Sequence, residues 1–146
     1  MGLIARLPAG TIALDTVAFI YYIEDHPRFA RALHPLFHDA DTGERLLITS
    51  ALTLLEVLVG PLRSGNGELA ARYEAILTRS PGLTLVEIDH TQLRSAAQLR
   101  ALTNIRTPDA LQLAAALNQR AAALVTNDRR LPEIPGLPIV QLADVA

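Results

Sequence analysis

Apolar positions along the chain follow two patterns: short unbroken runs that read as buried strands, and longer stretches at helical spacing. Thr11-Ile12-Ala13-Leu14 is the first run, and it ends at Asp15. Thr16 then predicts a cap for a helix through Val17–Ile23. A second helix is expected from near Pro27 on Phe29, Ala30, Leu33, Leu36 and Phe37, with Pro35 kinking or ending it. Leu46–Thr49 predicts a strand, and a helix from about Ser50 to Leu58 is expected to stop at Gly60-Pro61. After the turn Ser64-Gly65-Asn66-Gly67, Leu69, Tyr73, Ile76 and Leu77 mark an amphipathic helix. Leu83–Ile88 reads as a strand, and Asp89 or Thr91 can cap a helix running to about Leu102. The last strands are Ala123–Thr126, followed by Asn127-Asp128, and Ile139–Leu142 beyond a loop holding Pro132, Pro135 and Pro138. Strands alternating with helices, with no linker, repeat or low-complexity tract, predict one α/β domain over residues 1–146 around a parallel sheet. In such sheets ligands bind beyond the carboxyl ends of the strands, where Asp15 and Asp128 both fall.

The stretch Thr107–Leu117 reads as a helix with a hard start. Thr107 is expected to cap it, Pro108 suits the first helical position, and Asp109 lies in the first turn, where backbone N–H groups favour an anion. Only Gln112 is polar between Ala110 and Leu117, so most faces of this helix must be buried. A carboxylate at the mouth of a buried helix is expected to face a cleft.

Composition narrows the picture. The chain has 146 residues, half of them hydrophobic, with three Phe and three Tyr, so aliphatic side chains must build the core. The formal net charge is −2, from 13 basic and 15 acidic residues, which predicts no large electropositive field for nucleic acid. All the basic residues are Arg, whose guanidinium matches phosphate. Absence of Cys excludes disulfides, thiol catalysis and Cys-ligated zinc, and fits a reducing, cytoplasmic location. Residues 1–10 lack a signal-peptide apolar core, Arg6 breaks the myristoylation pattern, and Glu56 interrupts the most apolar run, so no membrane association is expected.

Four acids are unexplained by their local surroundings. Asp15 and Asp128 each end an apolar strand, Asp109 opens the buried helix, and Glu56 has no cation at i±3 or i±4. If they converge, each carboxylate pair ~4 Å apart repels by roughly 4 kcal/mol at an effective dielectric of about 20. Arg residues, proton uptake, or Mg²⁺ or Mn²⁺ would relieve this. Such ions join carboxylates to phosphate oxygens and activate water, chemistry suited to phosphodiester hydrolysis.

Leu14-Asp15-Thr16-Val17-Ala18-Phe19-Ile20-Tyr21-Tyr22, Ser50-Ala51-Leu52-Thr53-Leu54-Leu55-Glu56-Val57, Thr107-Pro108-Asp109-Ala110 and Val125-Thr126-Asn127-Asp128 resemble, in order and spacing, the successive motifs of PIN-domain nucleases. They look most like VapC-type toxins of bacterial toxin–antitoxin pairs, over about residues 12–142. The resemblance implies a three-layer α/β/α domain with a central parallel sheet. It implies that Asp15, Glu56 and Asp109 hold Mg²⁺ or Mn²⁺, directly or through water, and that Asp128 completes the acidic set. Thr16 and Asn127 would support the ligands or the scissile phosphate, and Thr126 would orient the strand-end loop. The implied activity is metal-dependent endoribonucleolytic hydrolysis, by a homodimer silenced by a cognate antitoxin. A PIN nuclease of RNA maturation or DNA repair, or a non-catalytic binding module of the same fold, are the rival readings.

Other polar residues have blander explanations. His34 and His38 stand i, i+4, but Pro35 interrupts the turn and no third ligand is evident; His26 and His90 are treated alike. Glu24 and Asp25 read as a solvated helix end. Arg129 and Arg130 are either phosphate contacts or surface charges, and Arg106 is either a substrate contact or an ion-pair partner of the acids.

Overall fold

The computed structural model describes residues 2–145; Met1 of the start motif and Ala146 at the end of the expected domain lie outside them. Five parallel strands, β1 (Ile12–Leu14), β2 (Leu47–Ser50), β3 (Leu83–Val86), β4 (Ala123–Thr126) and β5 (Ile139–Gln141), form one sheet in the order β3-β2-β1-β4-β5. Among the described residues seven α-helices surround it: α1 (Leu3–Arg6), α2 (Thr16–Ile23), α3 (Phe29–Asp41), α4 (Leu52–Ser64), α5 (Gly67–Arg79), α6 (His90–Leu102) and α7 (Thr107–Asn118). The expected three-layer α/β/α arrangement is therefore present.

Side-chain alternation along the strands separates two cores. Ile12, Leu14, Leu47, Ala123 and Val125 face one, shared with α2, α3 and α5. Ala13, Ile48, Val86 and Leu124 face the other, shared with α6 and α7. Both faces of the inner strands are covered, which explains why these strands read as unbroken apolar runs. α7 contributes Ala110, Ala114 and Ala116, all fully buried, and these small side chains let its backbone come close to the sheet. Among the described residues no helix is long and apolar enough to cross a membrane.

Several helix boundaries differ from expectation. Neither Pro35 nor Gly60-Pro61 ends a helix: α3 runs on to Asp41, and α4 to Ser64. Proline removes one N–H, whereas ending α4 takes Gly65 at φ 72, a left-handed conformation that favours glycine. The Pro61 carbonyl is then taken by Asn66 N at 2.8 Å. Asn66 at once caps α5, its Oδ1 accepting from Leu69 N at 3.1 Å, so the turn at 64–67 shrinks to a two-residue joint. β3 stops at Val86, short of Ile88. α1, within the segment that carried no signal, is too short for periodicity to reveal, yet it buries Leu3.

Asp89 does cap α6, its Oδ1 accepting from Gln92 N at 2.9 Å. Asp89→Ala is expected to cost about 1 kcal/mol, read as a lowered urea midpoint with an unchanged slope. Glu24 is not merely solvated, because the buried Tyr73 hydroxyl donates to its Oε2. His26 is structural too: its Nδ1 accepts from Arg28 N and Phe29 N, each at 3.1 Å, where α3 begins.

Candidate active site

The strand order reverses direction around β1, since β2 follows it on one side and β4 pairs on the other. Chain segments leaving the carboxyl ends of β1, β2 and β4 diverge there and leave a cleft. A cavity of about 510 Å³ occupies this place, lined by Asp15, Glu56, Asp109 and Asp128 together with Thr16, Gln112, Asn127, Arg106 and Arg130. All four expected acids thus reach one cleft, from four separate elements.

Asp15 leaves β1 and is the N-cap of α2, the role expected of Thr16. Its Oδ1 accepts from Thr16 N at 2.8 Å, and its Oδ2 accepts from the Thr126 hydroxyl at 2.7 Å. Burial pushes its pKa up; the two hydrogen bonds oppose this, and the charges of Glu56 and Asp109 add to it. The Thr16 hydroxyl, freed from capping, donates to Glu56 Oε1 at 2.6 Å. One residue therefore fixes two carboxylates, Asp15 through its backbone and Glu56 through its side chain. Glu56 itself rides on α4, which leaves β2 and contacts both α2 and α7.

Asp109 stands in the first turn of α7, with Arg106 Nε 4.0 Å from its Oδ2. This contact, made by a largely exposed guanidinium, contributes little. Thr107 does not cap the helix; it lies within α7, and Arg100 Nη1 donates to its hydroxyl at 3.1 Å. Asp128 is more firmly held. Its Oδ1 accepts from Arg130 N and Nε at 2.9 and 3.0 Å, and its Oδ2 from Nη2 at 2.9 Å. These Arg130 hydrogen bonds hold the Asp128 carboxyl below its ordinary value.

The supporting residues divide. Thr126 connects strand end to cleft, accepting from Asp128 N at 3.1 Å while donating to Asp15. Asn127 lines the cleft, but its side chain joins Tyr21 Oη and Ala143 N, tying the strand end to the chain's last turn. Arg129 is turned away from the cleft onto Asp144; Arg130 and Arg106 are the cations that line it. Reading the sequence missed Gln112, which sits 4% exposed beneath the acids and bonds to three hydroxyl-bearing residues. Its signal was present, as the lone polar residue in the apolar run of α7.

Among the described residues, no three His, Cys, Asp or Glu side chains are grouped so as to hold a metal ion as they stand. The cleft collects carboxylates at its wall, and mutual repulsion works against closer approach. The donor set is all oxygen, the kind that hard divalent cations take.

A family model described as PIN domain matches residues 12–137. No curated protein matches the sequence. Among solved structures, the fold is similar to a chain of the VapBC2 complex from Rickettsia felis bound to a promoter DNA fragment. That match has 21% identity and a TM-score of 0.67, and covers 88% of this chain and 96% of that one. It is similar to a chain of a toxin–antitoxin complex from Klebsiella pneumoniae, at 22% identity and TM-score 0.67, covering 90% and 97%. A third likeness is to DNA-bound VapBC from Salmonella typhimurium, at 23% identity and TM-score 0.67, covering 92% and 99%. These likenesses concern the fold.

Proposed function

Because the chain belongs to the PIN domain family, we propose that its whole length forms one nuclease domain that hydrolyses RNA phosphodiester bonds with Mg²⁺ or Mn²⁺, as the toxin of a toxin–antitoxin pair. The observation that carries this reading is the convergence of Asp15, Glu56, Asp109 and Asp128 on one cleft beyond the strand ends. Burial raises the pKa of Asp15, the charges of Glu56 and Asp109 add to it, and a divalent cation there would favour the ionised carboxylate.

Asp15, Glu56 and Asp109 would hold the ion, with Asp128 beside them. Bound there, the ion supplies a nucleophilic water at neutral pH and offsets charge on the phosphate. The chain's own part is orientation. Thr16 and Thr126 fix the Asp15 carboxylate and Thr16 fixes Glu56, so neither has to be ordered when RNA arrives. Arg106 and Arg130 line the same cleft with exposed guanidinium groups suited to flanking phosphates.

The likeness to chains solved in toxin–antitoxin complexes supports an antitoxin partner. Exposed Leu55, Val59 and Leu62 on α4, the helix that carries Glu56, form an apolar strip of the kind a partner covers. A homodimer in the cytoplasm belongs to the same reading.

The test is cleavage of structured and unstructured RNA by purified wild type and Asp109→Asn, with Mn²⁺ and with chelator. Wild type is expected to cut only with metal, and the variant at least ~100-fold more slowly. Equal cutting by both proteins, or cutting that survives the chelator, would overturn the reading.

A further inference from the structure

We propose that a second cavity, beside the acidic cleft, is a subsite for one unpaired nucleotide of the RNA strand. Its phosphate is gripped between Arg106 and Arg130, and its nucleoside sits beyond them. The proposal rests on the nuclease function above and names the class of RNA that fits, single-stranded RNA.

The two cavities meet at the start of α7. The second, of about 360 Å³, shares Arg106, Asp109 and Arg130 with the cleft and is otherwise walled by Thr103, Asn104, Ile105 and Pro132. That volume lies at the small end of ligand pockets, about 300–1,000 Å³. Charge changes across the shared mouth: four carboxylates line the cleft, whereas the second cavity meets only Asp109. Arg106 and Arg130 are the only cations lining the cleft among the described residues. A phosphate next to the scissile one is therefore stabilised at this mouth and repelled by the acids elsewhere.

Both guanidiniums have donors to spare. Their side chains are 67% and 69% exposed. That of Arg106 makes no hydrogen bond among the described residues and stands 4.0 Å from Asp109. Of the five N–H donors a guanidinium carries, Arg130 gives Asp128 the one on Nε and one on Nη2, and the rest are unspent. The ion pair holds its planar fork in place at the mouth, so less freedom is lost when a phosphate binds. Arg106 also acts electrostatically on Asp128, and Asp109 on Arg130, which places both cations at one opening.

Beyond the arginines the lining suits a nucleoside. Ile105 is buried and Pro132 half-buried, an apolar surface for the face of a base. Asn104 is exposed, and its side-chain amide, with no hydrogen bond among the described residues, can both donate to and accept from a base edge. A base seated there has left any duplex stack, which single strands and loops allow and a continuous helix does not.

The test is binding of a fluorescent single-stranded RNA oligonucleotide, in chelator at low salt, to wild type, Arg106→Gln, Arg130→Gln and the double variant. The double variant is expected to bind at least ~tenfold more weakly, with a log–log salt slope shallower by about 0.7 for one phosphate. It should bind Mn²⁺ alone as tightly as wild type or more so, because two cations have left the acids. A duplex of the same sequence should bind wild type at least ~tenfold more weakly than the single strand. AMP should displace the oligonucleotide at concentrations at least ~fivefold below those of inorganic phosphate.

Undiminished RNA binding by the double variant would overturn the proposal. So would Mn²⁺ affinity lost together with RNA affinity, since the arginines would then serve only to order the acids. Equal binding of duplex and single strand, or AMP no better than phosphate, would overturn the nucleotide subsite as well. Should the double variant fail to fold, Arg106→Gln decides, because its guanidinium bears no hydrogen bond in the fold. The expected binding without any cutting in Mn²⁺ would bring down the nuclease reading and leave the nucleotide site standing. Cutting by a wild type whose RNA affinity ignores both arginines would bring down the subsite alone.

Discussion

Asp15→Asn is expected to lower RNA cleavage at least ~100-fold and to leave the metal-free protein as stable as wild type, or more so. The amide keeps both structural duties. Its oxygen can accept from Thr16 N as Oδ1 does now, and asparagine caps helices as well as aspartate. Its Nδ2 would face the Thr126 hydroxyl oxygen, which accepts as readily as it donates. Only the charge is lost. Burial, with Glu56 and Asp109 nearby, raises the native pKa of Asp15 above 3.8, its ordinary value. Between those two values the native state binds more protons than the unfolded one, so wild-type stability falls as pH rises through this window. The neutral variant escapes that fall. Urea melts in chelator should therefore show the variant gaining on wild type as pH rises from 3.8 through the raised native value. Undiminished cleavage would remove Asp15 from the site, and a variant markedly weaker at neutral pH would refute the electrostatic account.

Gly82→Ala is expected to have the largest effect on folding of any one-methyl change. A Cβ at Gly82 would stand 2.2 Å from the Ala40 carbonyl oxygen, and 2.7 and 2.8 Å from the carbon and Cα of the same residue. All three are backbone atoms at the end of α3, so no side chain can swing aside. Moving Gly82 instead would disturb the sheet, because its carbonyl accepts from Leu47 N at 2.8 Å where β2 begins. Overpacking against backbone belongs at or beyond the upper end of the usual range, about 3 kcal/mol. For a domain of this size that is a fall of roughly 10 °C in Tm. Gly60→Ala, inside α4 with open space around its Cβ, is the control and should melt at or slightly above wild type. A Gly82→Ala protein melting within about two degrees of wild type would refute the packing argument.

The sequence revealed the sheet and its acids for one reason: each acid interrupts or ends an apolar element whose type is plain. Asp15 and Asp128 could be assigned to strand ends because Ile12–Leu14 and residues 123–125 are unbroken apolar runs. Helix ends were harder. Pro61 is itself buried, and α4 passes through it because packing of Val57 and Pro61 outweighs one missing N–H. Thr16 and Thr107 both have good capping chemistry, yet a neighbour claims each hydroxyl: Glu56 for Thr16 and Arg100 for Thr107. Competition of that kind is between residues far apart in sequence, and spacing carries no trace of it. Arg129 and Arg130 are alike in sequence; only the fold separates them, one held by Asp144 and the other by Asp128.

The central position of β1 has a consequence for the time at which the molecule becomes competent. β1 pairs with β2 through Ile12 and Ala13, opposite Leu47 and Ile48, but its pairing with β4 sets Ile12, Ala13 and Leu14 against Ala123, Leu124 and Val125, far later in the chain. Contacts of such long separation form slowly, because much of the chain must be ordered first. Asp15 obtains its Thr126 hydrogen bond only when that pairing closes, and Asp109 and Asp128 arrive on the same late segment. On the ribosome, which releases the amino-terminal part first, the first two acids emerge well ahead of the last two. A growing chain accordingly has no assembled cleft until β4 has emerged.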